Sequence, residues 1–550
     1  MSTQYASLTA ASPATAGSAV KPPRARRRWP PMGIWIFIGI VLGVNLWTHS
    51  PNFFDHAVAN IILMVSTIVT AAVLLLWLAI FSAYRPVVRW TPLVATLVLG
   101  GLWLATHRVD HYTGELGLVW TLRWAKPPDE MLAVAKTKPA VAVALDHTTD
   151  NDFPQFLGPT RSAGLDRLSL ARDWAKQPPE RLWRQPIGAG HSGFVVVNGF
   201  AVTMEQRGEE ELVTCYDALT GAPQWSHGIR ARHETPLGRI GPRSTPTINA
   251  GRVYALGATG VFRCLDGANG KLLWAHDILA ECNTTVDDDL QNVYWGRAAS
   301  PLVVDNLVIV PGGGPGGGPW ISLLAFDKVS GKLIWEGGSE QVSYSSPAVA
   351  VLAGVRQILI VNESNITGHD PTTGNVLWKF PFPGSSKRNA NNSQVVPVGG
   401  DRLFVSKGYT GGARMFHVSR DDSGHWTADE LWRANNILKT KFTNVAVLRG
   451  FAFGLSDGIL ECAELSTAKR QWKQGHYGHG QILRVGELLL IESEDGEIAL
   501  VEASPEAFSE LGRFQALDGQ TWNTLCLWGR HLLVRNSEQA ACWELPLAGH

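Results

Sequence analysis

Apolar positions along the chain fall into two patterns. Up to residue 105 they run in long blocks, Gly33 to Trp47, Ala57 to Ala83 and Thr91 to Ala105. Beyond residue 160 they come in short runs broken by Gly, Asp, Asn and Ser. Long blocks predict helices, and short runs bounded by turn residues predict strands. The strand-like runs begin near Phe194, Thr245, Ser300, Ser346, Gln394, Asn444, Gln481 and Asn523, which makes eight similar starts.

The spacing Asp-x3-Gly-x3-Trp closes four of these units: Asp217-Gly221-Trp225, Asp266-Gly270-Trp274, Asp327-Gly331-Trp335 and Asp370-Gly374-Trp378. An Asp side chain sets a turn by bonding backbone N–H groups two residues on, and Gly supplies the positive φ that closes it. The Trp then sits on the returning strand, where an indole fills the gap between neighbouring sheets. Trp183, Trp432, Trp472 and Phe514 end weaker copies, so the eight aromatic positions lie 42, 49, 61, 43, 54, 40 and 42 residues apart. That interval is the length of a four-stranded propeller blade. The chain after Phe514 holds about three strands, and the segment around Trp183 is the natural fourth, closing the ring. The fold expected is all-β: an eight-bladed β-propeller of four-stranded antiparallel blades, preceded by an N-terminal transmembrane helical region. Seven blades is the alternative.

The apolar blocks set the domain plan. The middle block exceeds the roughly 20 residues that span a bilayer, and the outer two are near the lower limit. Arg24, Arg26, Arg27 and Arg28 precede the first block, while Arg85 and Arg89 stand between the second and third. By the positive-inside rule the N-terminus is cytoplasmic and everything after a third span lies outside. The plan is therefore a disordered cytoplasmic tail over 1–31, about three transmembrane helices over 32–106, a linker over 107–150 and the propeller over 151–550. The location expected is a bacterial inner (cytoplasmic) membrane, with the propeller facing the periplasm or exterior. A formal net charge of zero gives no global field for nucleic acid.

The six cysteines, 215, 264, 282, 462, 526 and 542, show no CxxC pair and no vicinal pair. Equivalent positions in adjacent sheets stand roughly 10 Å apart, beyond the reach of a disulfide, so buried free thiols are expected. The run Asp287-Asp288-Asp289 reads as a solvated acidic loop, and Gly312 to Gly318 as a hairpin loop without the Lys of a phosphate loop. His476 and His479 lack a third ligand at metal spacing, and no metal site is expected.

The stretches "DFPQFLGPTRSAGL", "EQRGEEELVTCYDALTG", "GPRSTPTINAGRVYALGATGVFRCLDGANGKLLW" and "YSSPAV" resemble bacterial PQQ-like (pyrroloquinoline-quinone-like) β-propeller repeat proteins, the BamB-like group, over roughly 70% of the chain. The resemblance implies a propeller used by non-catalytic scaffolds and by quinone-dependent dehydrogenases alike. In such a fold the connections entering the innermost strands converge on the axis. Those connections carry His191, Arg243, Arg297, Tyr344, Ser345, Asn392, Asn444, His476, His479, Trp522 and Asn523, with Glu205 and Arg207 nearby. The candidate cofactor-binding funnel is therefore Glu205, Arg207, Arg243, Arg297, Tyr344, Ser345, Asn392, Asn444, His479 and Asn523, with no catalytic residue assigned. It suits a small anionic ligand. A PQQ site with Ca2+ requires carboxylate oxygens, and the eight entry connections contain no Asp or Glu. The function expected is a membrane-anchored extracytoplasmic non-catalytic binding or scaffold module with an envelope protein partner, in envelope assembly. The alternative is a PQQ-dependent alcohol or sugar dehydrogenase passing electrons into the membrane.

Overall fold

The computed structural model describes residues 26–50, 56–132, 142–385, 389–409 and 411–549. Arg24 and the tail up to residue 25, and residues 133–141 of the expected linker, lie outside the described residues. The chain divides into two compact units, the helices up to Thr106 apart from residues 55–57, and the chain from His107 onward together with those three residues.

The first unit has helices α1 (Met32–Thr48), α2 (His56–Phe81) and α3 (Pro86–Thr106). At 26 and 21 residues, α2 and α3 are long and apolar enough to cross a membrane, whereas α1 has 17. Helix α3 starts five residues ahead of its apolar block. Pro86 takes the first helical position, where a missing N–H costs nothing. Arg89 in the first turn donates to the Ala79 carbonyl at 3.0 and 2.6 Å, satisfying an orphan at the end of α2.

The second unit carries the eight-bladed propeller. The blades span 195–230, 247–277, 302–337, 348–381, 396–434, 446–476, 481–515 and 526–544. Each has four antiparallel strands in sequence order, innermost first. The last takes its outer strand, Glu180–Pro186, from the start of the propeller, as the strand count around Trp183 required.

One device recurs in every blade. The third and fourth strands slip register by one residue immediately after the same pair: Cys215↔Trp225, Cys264↔Trp274, Ala325↔Trp335, Gly368↔Trp378, Met415↔Trp432, Cys462↔Trp472 and Cys542↔Trp183. Such a bulge turns the strand and re-aims the side chain beside it. The indole consequently lies over the turn of the next blade. Trp183 donates to the Ala218 carbonyl at 2.9 Å, Trp225 to Gly267 at 2.9 Å, Trp335 to Pro371 at 3.2 Å and Trp432 to Leu465 at 2.8 Å. Tyr254 substitutes in the second blade, its hydroxyl taking the Lys328 carbonyl at 2.9 Å, and Trp274 Nε1 is left without a partner among the described residues.

The seventh blade corrects one sequence assignment. Its pair at the slip is Leu500↔Gly512, so Phe514 stands two residues past the indole position. The aromatic there comes from elsewhere. Trp174, 5% exposed, packs over Gly512, where a Cβ would meet its side chain at 3.0 Å, and its ring lies 5.6 Å from Phe514. All six cysteines are free and buried.

Two segments outside the blades close the axis. The stretch read as a linker contains a hairpin, His107–Tyr112 with Leu118–Leu122, whose tip reaches the entry side. Gly114 N–H donates to Glu494, and Gln520 donates to the Tyr112 carbonyl at 3.1 Å. From within the channel, residues 153–165 bond five blades. Phe153 exchanges backbone bonds with Val196 at 2.9 Å, and Pro154 accepts from Ile248 at 2.8 Å. Arg161 donates to the Ser300 and Pro301 carbonyls at 3.1 and 3.0 Å, while its own carbonyl accepts from Gln394 at 3.1 Å. Gly164 and Leu165 then run parallel to Arg484 and Val485. Leu157, Arg161 and Ala163 all adopt positive φ (60°, 55° and 52°), a fold-back that no regular strand would make.

The seventh blade also buries an uncompensated acid. Glu492 is 1% exposed, and neither carboxylate oxygen has a partner among the described residues. Burial alone raises its pKa well above the usual range. A raised folded-state value favours the protonated form, so its contribution is present at acidic pH and is lost as pH rises through that value. Glu492→Met is therefore expected to stabilise the protein by about 1–3 kcal/mol at neutral pH and above, with the gain vanishing in acid. Urea denaturation of both proteins across pH checks this, and parallel stability curves would refute it.

Candidate functional site

The connections entering the eight innermost strands meet around the axis, and the structure shows what their polar residues do. At the base of the ring they stitch neighbours. Gly193 N–H donates to Thr245 Oγ1 at 3.1 Å, Thr245 N–H to Ser300 Oγ at 2.9 Å, Ser300 N–H to Ser346 Oγ at 2.9 Å and Gln394 N–H to Asn444 Oδ1 at 2.9 Å. Ser345 donates to the Ser393 carbonyl at 3.1 Å, and Asn523 to the Ser192 carbonyl at 2.8 Å. Innermost strands have few side chains available to pair with at the axis, so hydroxyls and amides satisfy their first N–H and C=O groups. Ser345, Asn444 and Asn523 thus join blade to blade.

Above this ring the side chains crowd together. Trp522 lies 5.3 Å from His191 and 4.8 Å from Phe442, which lies 5.5 Å from His479. Lys441 Nζ sits 3.2 Å from His479 Nε2, and Asn392 donates to the Lys441 carbonyl at 2.5 Å. Across the axis Tyr344 stacks on Trp295 at 5.2 Å, and its hydroxyl accepts from Trp295 N–H at 3.3 Å. His191 and Arg243 both donate to the Gly238 carbonyl, on the hairpin 234–240 inserted between the first two blades. Burial first, and then the nearby cations Arg243 and Lys441, hold His191 and His479 well below the usual histidine range, so both are neutral.

The remaining candidates are held elsewhere. Arg297, 2% exposed, forks onto Asp289 at 3.1 and 2.7 Å in the connection between the second and third blades. That bond also revises the acidic run, which is not a solvated loop: Val286–Asn292 is a helix capped by Thr285, and Asp289 is buried. Glu205 is fully buried beneath Arg207. It accepts from Gly188 N–H at 2.6 Å, Thr214 at 2.7 Å, Tyr216 at 2.8 Å and Arg207 at 3.1 Å. His476 and His479 part company, since His476 faces Glu115 at 2.7 Å while His479 faces Lys441.

A quinone held beside Ca2+ needs carboxylate oxygens open to the axis. Glu205, the nearest acid by sequence, has its lone pairs taken by four donors, and Asp289 is neutralised by Arg297. Glu494, on the entry side, accepts from Gly114, from His479 N–H at 3.0 Å and from Gln520 at 3.1 Å. These donor sets do not fit the group.

Sequence reasoning missed the pieces that fill the axis: the hairpin 107–122, the hairpin 234–240 and residues 153–165. All three lie outside the repeat; the length of the loop before the second blade and the resemblance carried by residues 152–165 were the available signals.

No curated protein matches the chain. Solved structures share its fold: a europium-containing methanol dehydrogenase (TM-score 0.54, 10% identity, covering 72% of this chain and 98% of that one). A quinohemoprotein alcohol dehydrogenase from Pseudomonas putida HK5 aligns at TM-score 0.51 and 12% identity, over 75% of this chain and 83% of that one. BamB from Moraxella catarrhalis aligns at 0.47 and 14% identity, over 68% and 98%. At these identities the likeness is one of fold. The family model described as outer membrane protein assembly factor BamB matches residues 173–296 and 209–474. With more than half its length matched and eight blades built on one repeated turn, the chain belongs to this BamB-type family of PQQ-like β-propeller proteins.

Proposed function

We propose that the chain is a non-catalytic binding propeller, anchored by its N-terminal helices in the cytoplasmic membrane and displayed on the outer side to an envelope protein partner. One observation carries this reading: the axial mouth is occupied by its own side chains, and its acids are already bonded. An alcohol-oxidising centre requires both room for a planar cofactor and an available base, and Glu205 is committed to four donors. The fold it shares with dehydrogenases supplies the alternative.

The test has two parts. Membrane-embedded full-length protein, supplied with PQQ, Ca2+ and primary alcohols or aldose sugars, is expected to leave an artificial electron-acceptor dye oxidised; dye reduction above the protein-free rate would overturn the proposal. Because all six native thiols are buried, a Glu209→Cys variant reports topology on intact cells. The new thiol is expected to react with a membrane-impermeant maleimide while the parent protein does not, and an unlabelled variant that labels after lysis would place the propeller inside.

A further inference from the structure

Eight blades share one framework, so chemistry peculiar to this chain belongs to the segments added to it. Three additions wall a cavity of about 660 Å3: the hairpin 107–122 through Arg108 and Asp110, the turn Pro128–Met131, and the hairpin 234–240 through Arg239 and Ile240. The propeller closes it with Ala189, Arg232, Ser537 and Glu538. The volume falls in the range of small-molecule sites, about 300–1,000 Å3.

Two groups in the wall lack the partners that a purely structural role would give them. Ser537 is 6% exposed, and its buried Oγ bonds nothing among the described residues. A buried hydroxyl left unmade costs about 1–3 kcal/mol, so such a group marks a place where a partner belongs. Arg239 bonds Gln520 Oε1 at 3.1 Å, and the carboxylates of Asp110 and Glu538 act on it without forming an ion pair among the described residues. Its backbone takes a left-handed conformation, φ 59°, beside the turn of the hairpin. Arg232, by contrast, is already neutralised by Asp129 at 2.7 Å and Glu234 at 3.1 Å. Glu130 and Glu538 are exposed acids in the same wall, Glu538 next to Ser537 in the chain and within electrostatic reach of Arg239. Pro127, Pro128, Pro236 and Ile240 supply apolar wall.

We infer that this cavity binds a short peptide or amino acid as a zwitterion, its carboxylate on Arg239 and Ser537 and its ammonium toward Glu538 and Glu130. A guanidinium with a hydroxyl donor is a carboxylate receptor, and the acids in the same wall would repel a ligand that carried only negative charge. The cavity opens beside the axial mouth but is lined by other side chains, so the dye assay above neither supports nor removes it.

Calorimetry on the full-length protein in detergent tests the assignment with three probes: glycylglycine, N-acetylglycylglycine and glycylglycinamide. Glycylglycine is expected to bind, and blocking either end is expected to weaken it about tenfold, the equivalent of one charge-assisted bond. Arg239→Gln is expected to weaken glycylglycine by a similar factor and to erase the penalty for amidating the carboxylate. Ser537→Ala and Glu538→Gln supply independent readouts, the latter removing discrimination against the acetylated probe. Absence of binding by all three probes, equal binding of free and capped forms, or wild-type affinities in all three variants would overturn the inference.

Discussion

Replacing Gly270 by alanine is expected to cost about 3–5 kcal/mol, from overpacking and left-handed strain together. Gly270 has φ 72°, and a Cβ there would lie 2.6 Å from Trp225 Cε3 in the preceding blade. The ring cannot retreat. Trp225 is 3% exposed, and its Nε1 is bound to the Gly267 carbonyl of the same turn at 2.9 Å. The turn cannot move either, because Asp266 holds Ala268 N–H at 2.9 Å and Gly270 N–H closes onto the Asp266 carbonyl at 2.8 Å. Gly208 makes the control. Its φ is 55° with open space around it, so alanine there bears only the backbone strain, about 1 kcal/mol. Equilibrium urea denaturation distinguishes them, and equal losses at the two sites would show that the indole contact contributes nothing.

The second large effect lies between the first two blades. Arg263 and Glu211 are 0% and 1% exposed, and Arg263 donates to Glu211 Oε1 at 2.7 Å. Glu211 also accepts from Ala258 N–H at 3.0 Å. Burial is the larger influence on both, raising the Glu211 pKa and lowering that of Arg263 against the pull of the partner. Glu211→Ala is expected to cost about 3–5 kcal/mol, since it leaves a buried guanidinium without its counter-ion. The double variant Glu211→Met/Arg263→Met is expected to recover most of that loss, because two apolar side chains need no desolvation. A complete double-mutant cycle measures the coupling. If the double variant is as unstable as the sum of the single ones, the pair is not the unit holding these blades together.

Both predictions trace to features readable along the chain to different degrees. The Asp-x3-Gly-x3-Trp spacing reports a local event: a turn, a positive-φ closure and a bulge that re-aims one indole. Local events leave a pattern in sequence, so blade number, strand order and closure by the segment around Trp183 were all legible. Phe514 shows where that fails. In the seventh blade the pattern offered an aromatic two residues late, and the true partner, Trp174, comes from more than 300 residues earlier in the chain. The cysteines were legible for the same local reason, since Cys215, Cys264, Cys462 and Cys542 are the cross-strand partners of the indoles.

The polar residues at the axis were legible as a set but not in their roles. Sequence places Asn444, Ser345 and Asn523 at the entries of innermost strands, and that is where they are. Whether such a group faces a ligand or a neighbouring backbone depends on which N–H or C=O lacks a partner, and those vacancies exist only once eight strands meet. Glu205 likewise read as an available carboxylate until Tyr216, Thr214 and Gly188 closed on it.

By itself the order of residues determined that short, turn-bounded strands recur eight times and close into a ring, because each turn and bulge is specified within about ten positions of its own blade. The tertiary structure alone decided that the ring's axis is filled and that a charged cavity opens beside it. Those outcomes depend on segments 107–132, 153–165 and 234–240 meeting blades far from them in sequence, and no periodicity records encounters at such separation.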